Sequence, residues 1–194
     1  MSEQEARLLA RAREGDVEAF ADLVRLLERR VRGLLARLLD DDRDVDEAAQ
    51  DTFVQAWRHL DRYRGDAAPF TWIYRIAVNE ALQRTRRKRL DTRSLDTVPG
   101  LELEIEPGTP APPPADLEAE SRELLAFVAH RIRALPFDYR APLVLRDVEG
   151  WTNEEVADAL GVSVPAAKSR IHRARMQLRH ELELWRRGGE QEDH

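Results

Sequence analysis

Near the C-terminal end of the chain Lys168, Ser169, Arg170, His172, Arg173 and Arg175 stand close together, and no acidic residue interrupts the stretch from Ser163 to His180. Long cationic arms and a hydroxyl gathered on one side of a helix cannot break bonds by themselves. They can reach phosphate oxygens and base edges, which is non-covalent recognition of nucleic acid. The same residues would also suit a solvated, charged face on an ordinary helical hairpin. The elements that must hold them decide between the two.

Trp151 to Leu182 spells a helix, a tight turn and a second helix. Thr152 can cap the first, with Glu155 completing a capping box, and Val156, Ala157 and Leu160 fall at helical spacing. Gly161 ends that helix, because a residue without Cβ adopts the left-handed conformation at little cost. Ser163 is a good N-cap for the second helix, and Pro165 falls in its first turn, where a missing N–H does little harm. Val164, Ala167, Ile171, Ala174 and Leu178 form the stripe to be buried, which turns the cations outward. Capping box, glycine turn, capped second helix and unbroken basic face together favour a helix-turn-helix that enters a DNA groove.

A second set of cations, Arg84, Arg86, Arg87, Lys88, Arg89 and Arg93, ends a helix whose expected buried stripe is Trp72, Ile73, Ile76, Ala77 and Ala81. Tyr63, Phe70, Trp72 and Tyr74 lie just before it. Aromatics beside cations are the combination that holds unstacked single-stranded bases, and aromatic stripes also pack cores. For Phe70 and Trp72 both readings stand, and they are compatible. Upstream, Asp16 is a plausible cap for a long amphipathic helix whose apolar positions are Val17, Phe20, Leu23, Val24, Leu27, Val31, Leu34, Leu35 and Leu38. Asp40 to Asp42 break it. Asp44 with Glu47 reads as the cap of another helix, with Val45, Ala48, Ala49, Phe53, Ala56, Trp57 and Leu60 inward. Its other face carries Asp46, Glu47, Gln50, Asp51 and Gln55, by spacing alone a solvated surface. Arg62 to Thr71 reads as a loop around Gly65 and Pro69.

The net charge of −6 argues at first sight against a nucleic-acid binder. The charge is segregated, however, between the two basic blocks and the acidic stretches Asp40 to Glu47 and Leu101 to Glu123. Such a chain is expected to bind DNA weakly alone and to need a carrier. With no cysteine among 194 residues, disulfides and thiolate-ligated metal are excluded, and the five histidines are scattered. No metal, cofactor or small-molecule substrate is expected: there is no glycine-rich phosphate loop, no ligand cluster and no nucleophile with a base nearby. The N-terminus is too charged for a signal peptide, and no apolar run approaches a membrane span, so a cytoplasmic protein is expected. Residues 95–115 hold six prolines, two glycines and acidic charges only, an extended linker that cannot bury a core. Leu124, Leu125, Val128, Ile132 and Leu135 mark a helix after it, stopped by Pro136, and Leu143, Val144, Leu145 and Val148 a short one before the helix-turn-helix. The expectation is an all-α chain of two small helical domains, 1–94 and 116–187, joined by the acidic proline-rich linker, with 188–194 as a tail.

The stretch IRALPFDYRAPLVLRDVEGWTNEEVADALGVSVPAAKSRIHRARMQL resembles region 4, the promoter-binding domain, of the bacterial extracytoplasmic-function (ECF) sigma factors. DVDEAAQDTFVQAWRHLDRYRGDAAPFTWIYRIAVNEALQRTRRKR is similar to their region 2. The resemblance implies a dissociable subunit that docks on core RNA polymerase, recognises a promoter and helps to melt it. Asp46, Glu47, Gln50 and Asp51 would bind the clamp coiled coil of the largest subunit, and the flap would be a second polymerase contact. Phe70, Trp72, Arg75, Asn79, Arg84, Arg86 and Arg87 would lie at the −10 element. There Asn79 and the loop before Trp72 would hold a flipped-out base. Pro165, Ala166, Lys168, Ser169, Arg170, His172 and Arg173 would lie at the −35 element, with Arg170 and Arg173 on base edges and phosphates. The linker would run toward the polymerase active-site cleft, and an anti-sigma factor would be the usual inhibitor.

Pro165 and Ala167 depart from the family's frequent Gly and Val at the start of the recognition helix, and Ala48 and Ala49 replace bulkier apolar residues. The competing reading is a stand-alone helix-turn-helix regulator, which the C-terminal motif alone would serve equally well. A regulator usually carries a sensing or dimerising domain, where this chain carries the acidic helix and the W-x-x-R-I-A-x-N stretch from Trp72 to Asn79.

Overall fold

A computed structural model describes residues 3–65, 68–95 and 119–192, and every regular element among them is helical. The chain divides into two compact units, Met1–Leu101 and Glu102–His194. The expected linker falls almost wholly outside the described residues.

The first unit is built on α2 (Val17–Leu38), with α1 (Glu3–Arg13), α3 (Asp42–Arg58) and α4 (Pro69–Leu95) packed around it. Leu23, Leu27, Val31, Leu34, Leu35 and Leu38 are fully buried along one side of α2, as a 3.6-residue apolar period demands. Asp16 caps it, accepting from the Ala19 N–H at 3.0 Å. Val17, expected in the stripe, is 61% exposed, and in that first turn Ala19 and Phe20 are buried instead. The sequence reading missed α1. It is charged overall, but Leu8, Leu9 and Ala12 recur at helical steps and bury against α2.

Two boundaries are corrected. The cap of α3 is Asp41, whose carboxylate accepts from the Arg43 N–H at 2.8 Å, and not Asp44. Asp44 lies inside the first turn, and the Asp40–Asp42 break is confined to the residues between α2 and that cap. The loop expected over residues 62–71 is shorter, since a 3₁₀ turn covers Leu60–Arg62 and α4 starts at Pro69, a residue suited to a helix's first turn. Within α4 Pro69, Ile73, Tyr74, Ala77, Val78 and Ala81 are buried. Trp72 and Ile76 are only half-buried. The stripe is thus rotated by about one residue from the expected one, and Tyr74 fixes the rotation by donating from its hydroxyl to the Arg30 carbonyl at 2.9 Å.

The second unit comprises α5 (Ala119–Ala134), α6 (Phe137–Leu143), a π-helical turn (Val144–Val148), α7 (Asn153–Leu160) and α8 (Val164–Glu192). Leu135, Leu143 and Ala174 form a core cluster with Ile132, Tyr139 and Leu178 against it. Buried Arg140 donates to the Arg133 carbonyl at 2.7 Å, tying the middle of α6 to the end of α5. The helix α8 continues into the expected tail at 188–194, as far as Glu192.

Candidate nucleic-acid interface

The helix-turn-helix forms as its sequence requires. Thr152 and Glu155 make the reciprocal capping box, with the Glu155 N–H on Thr152 Oγ1 at 3.1 Å and the Thr152 N–H on Glu155 Oε2 at 2.9 Å. Gly161 takes φ 64°, ψ 39° and its N–H closes α7 onto the Ala157 and Asp158 carbonyls. The Ser163 hydroxyl accepts from the Ala166 N–H at 3.3 Å, which caps α8. Ala167, Ile171 and Ala174 are then buried, while Val164 and Leu178 at the two ends of the stripe are half-buried.

Burying that stripe leaves Pro165, Lys168, Ser169, His172 and Arg173 exposed along α8, with Ala166 and Arg170 at its margin. Among the described residues no carboxylate pairs with Lys168 or Arg173. Arg170 is 34% exposed and lies 3.9 Å from Asp138, at the outer limit of an ion pair. Arg175 behaves differently. Its Nε and Nη2 donate to both oxygens of Asp147 at 2.8 and 2.5 Å, and that hydrogen bonding raises its pKa above the ordinary arginine value. It fastens α8 to the turn before α7, so that it is exposed but already engaged by a carboxylate.

In the first unit the basic block of α4 is split by its own helical period. Trp72, Arg75, Asn79 and Arg86 follow one another at three-, four- and seven-residue steps and therefore share a side of the helix, with Asn79 and Arg86 exposed. Glu80, Arg84 and Lys88, at four-residue steps, turn to α3. Arg84 donates to Asp51 and, at 2.8 Å, to Glu80, and Lys88 pairs with Asp44. Burial works against the Arg84 charge, but the two carboxylates outweigh it and its pKa is raised. Arg84, expected among the DNA-contacting cations, is thus committed inside the protein, and Arg87 is exposed. Phe70 and Trp72 are both half-buried. Trp72 packs on Tyr63 with ring centroids 5.3 Å apart, and Phe70 on Tyr74 at 3.8 Å. Sequence reasoning missed Arg30, whose guanidinium lies 3.5 Å from the centre of the Phe70 ring. It comes from α2, and nothing in its own neighbourhood of sequence marks it.

The acidic face of α3 is exposed at Asp46, Glu47, Gln50 and Asp51. Asp46 pairs with Arg32 of α2 at 2.5 Å and Glu47 with Arg43 at 3.1 Å. Beside it runs a groove of about 550 Å³ between α2 and α3, lined by Phe20, Val24, Phe53, Val54 and Trp57. Among the described residues no group of His, Cys, Asp or Glu is arranged to hold a metal ion.

Two protein-family descriptions match the chain: Sigma-70 region 2 over residues 23–90 and Sigma-70, region 4 over residues 128–178. The chain is 35% identical over 178 residues to the RNA polymerase sigma-H factor of Pseudomonas aeruginosa, spanning 89% of this chain and 91% of that protein. It is 34% identical over 179 residues to the ECF RNA polymerase sigma-E factor of Escherichia coli K12, spanning 90% and 93%. Among solved structures it is similar to CnrH in complex with the cytosolic domain of CnrY, with a TM-score of 0.60 and 28% identity over 94% of this chain and 99% of that one. It shares its fold with the sigma factor RpoE from Bartonella quintana, solved with the anti-sigma factor NepR, at a TM-score of 0.66 and 23% identity over 86% and 98%.

Proposed function

The chain belongs to the extracytoplasmic-function sigma factors of the sigma-70 family, and on that premise we propose how its residues divide the work. As a sigma factor it directs core RNA polymerase to specific promoters and initiates transcription. In our reading residues 1–94 form the region 2 domain, 95–115 the linker and 116–187 the region 4 domain, with α8 carrying the helix on past it.

Asp46, Glu47, Gln50 and Asp51 on α3 dock on the clamp coiled coil of the polymerase's largest subunit, and the region 4 domain docks on the flap. On α4, Phe70, Trp72, Arg75, Asn79, Arg86 and Arg87 engage the non-template strand at the −10 element. Extruding a base costs a few kcal/mol, and each aromatic stack or polar base contact returns roughly 1–3 kcal/mol. A few placed contacts therefore open the duplex without ATP. Lys168, Ser169, Arg170, His172 and Arg173 read the −35 element, with Pro165 and Ala166 at the entry of the helix into the groove. The chain has no catalytic chemistry, cofactor or small-molecule substrate of its own. It works in the cytoplasm, and among the described residues no helix is long and apolar enough to cross a membrane. Because CnrH and the Bartonella RpoE were solved with CnrY and NepR, an anti-sigma factor that covers the polymerase-binding faces is proposed as its regulator.

The observation that carries this reading is the division of α4 into one side that holds α3 and another that exposes Asn79 and Arg86 in line with Trp72. Multi-round transcription with purified core polymerase, with and without the chain, on promoter fragments of its own genome tests it. New transcripts sharing two upstream elements are expected. Binding to a fragment by the chain alone, without transcripts, would replace it with the stand-alone regulator.

A further inference from the structure

Glu5 on α1 is 5% exposed, a rare burial for a carboxylate. A charge taken out of water needs a partner, and Arg30 of α2 supplies one through Nη1 at 3.3 Å. A guanidinium has donors at its edge and a flat face above and below. Here the edge meets Glu5 and the face covers Phe70, 3.5 Å from the ring centre. The ring's neighbour Tyr74 is itself fastened to the Arg30 backbone carbonyl at 2.9 Å. Phe70 stands at the start of α4, where a single helical turn would leave it several rotamers, and these contacts from α1, α2 and α4 select one. The ring remains half-buried and so keeps surface to offer a partner. Glu5 also lies outside the matched region 2, which begins at residue 23.

We propose that Arg30 and Glu5 are positioning residues for promoter opening: Arg30 stacks on Phe70 and holds it ready for an unstacked base, and Glu5 holds Arg30. This deepens the assignment of Phe70 to the −10 element and rests on it. An aromatic already fixed in its receiving orientation loses no rotamer freedom when the base arrives. The device therefore acts on the melting step and leaves docking on the polymerase untouched.

The test uses holoenzyme made from the full chain and core polymerase, on a promoter that it transcribes. Core affinity is measured separately. Open-complex formation is followed by 2-aminopurine fluorescence in the −10 element, on duplex DNA and on the same DNA pre-melted by mismatches. Arg30→Gln is expected to slow opening on duplex by up to about tenfold, the scale of the rotamer freedom that an unheld ring must lose when the base arrives. Core affinity should stay unchanged, while affinity for the pre-melted template, which also seats its unstacked base on Phe70, should fall by no more than the same factor. Arg30→Lys should recover part of the loss. Glu5→Gln should show a smaller loss of the same kind, and its melting temperature checks that α1 stays folded. The double variant Arg30→Gln, Phe70→Leu should open no more slowly than Phe70→Leu, because both act through one ring.

If Phe70→Leu slows opening but Arg30→Gln does not, or if the two effects multiply, the positioning role is wrong while the −10 assignment stands. If Phe70→Leu opens duplex normally, the assignment of Phe70 fails and takes the positioning role with it. Loss of core affinity by Arg30→Gln in proportion to the loss of opening would also overturn the proposal, in favour of a purely structural contact.

Discussion

Arg84 of α4 donates to the carboxylate of Asp51 on α3, which joins a residue expected to touch DNA to one expected to touch polymerase. The helices run antiparallel along this seam, so that Lys88, on the next turn of α4, meets Asp44 further back on α3. The region proposed to melt the promoter is thereby braced directly on the region proposed to dock on the enzyme.

Arg84 and Glu80 are each 12% exposed, so Arg84→Ala leaves a nearly buried carboxylate without its partner. A loss of stability of about 1–3 kcal/mol is expected, read by urea unfolding. Asp51 is 53% exposed, and Asp51→Asn should cost less than about 1 kcal/mol because water replaces the lost charge. Equal costs for the two variants would mean that Arg84 is not held as described.

Reversal of Asp46 and Glu47 to Lys should abolish holoenzyme formation on gel filtration. Helix content should remain, since both carboxylates are exposed and their ion pairs to Arg32 and Arg43 contribute little. A normal holoenzyme peak would remove α3 from the docking surface.

The cations of α8 should separate into two groups. Arg170→Ala is expected to weaken holoenzyme binding by about 1–3 kcal/mol and to relax preference within the −35 element, and Arg173→Ala to lower the salt slope of binding by about one. Arg175→Ala should leave affinity and salt slope unchanged and lower the melting temperature, because its guanidinium is engaged by Asp147. A DNA-binding defect in the Arg175 variant would contradict the seam seen here.

The acid side of the stability profile should depend on Asp16. The Ala19 N–H, and after it Arg11, hold its carboxyl below the ordinary aspartate value. A carboxyl with a lowered folded pKa contributes stability that is present above its unfolded pKa and lost as pH falls through the folded value. Asp16→Asn should therefore flatten the fall in melting temperature below the ordinary aspartate range and change its slope little near neutrality. Parallel acid profiles for the two proteins would show that the cap's charge has no part in it.

The strong signals in this sequence are local ones, and they specify structure where the physics is local. The Thr152–Glu155 capping box, the left-handed Gly161, the Ser163 cap and the Asp16 cap depend on bonds between residues a few positions apart, so residue type and spacing suffice to foresee them. The long apolar period of α2 likewise specifies a helix and its buried side without reference to a partner. The α3 cap is not legible in the sequence because four aspartates, at 40, 41, 42 and 44, are equally able to cap, and only the packed position of α3 selects Asp41. Which cations face outward was beyond reach for a related reason. A run of arginines has no internal preference for solvent, and the rotation of α4 that turns Arg84 and Lys88 to α3 comes from Tyr74 reaching the Arg30 carbonyl and from Ala77 and Ala81 packing inward. The stacking of Arg30 on Phe70 exists only because α1, α2 and α4 converge. Sequence by itself determined most of the helices, the caps that rest on local bonds and the family resemblance; the tertiary structure decided which charges are paired across helices and which stay unpaired at the surface, because such pairing depends on distances that spacing along one chain segment does not contain.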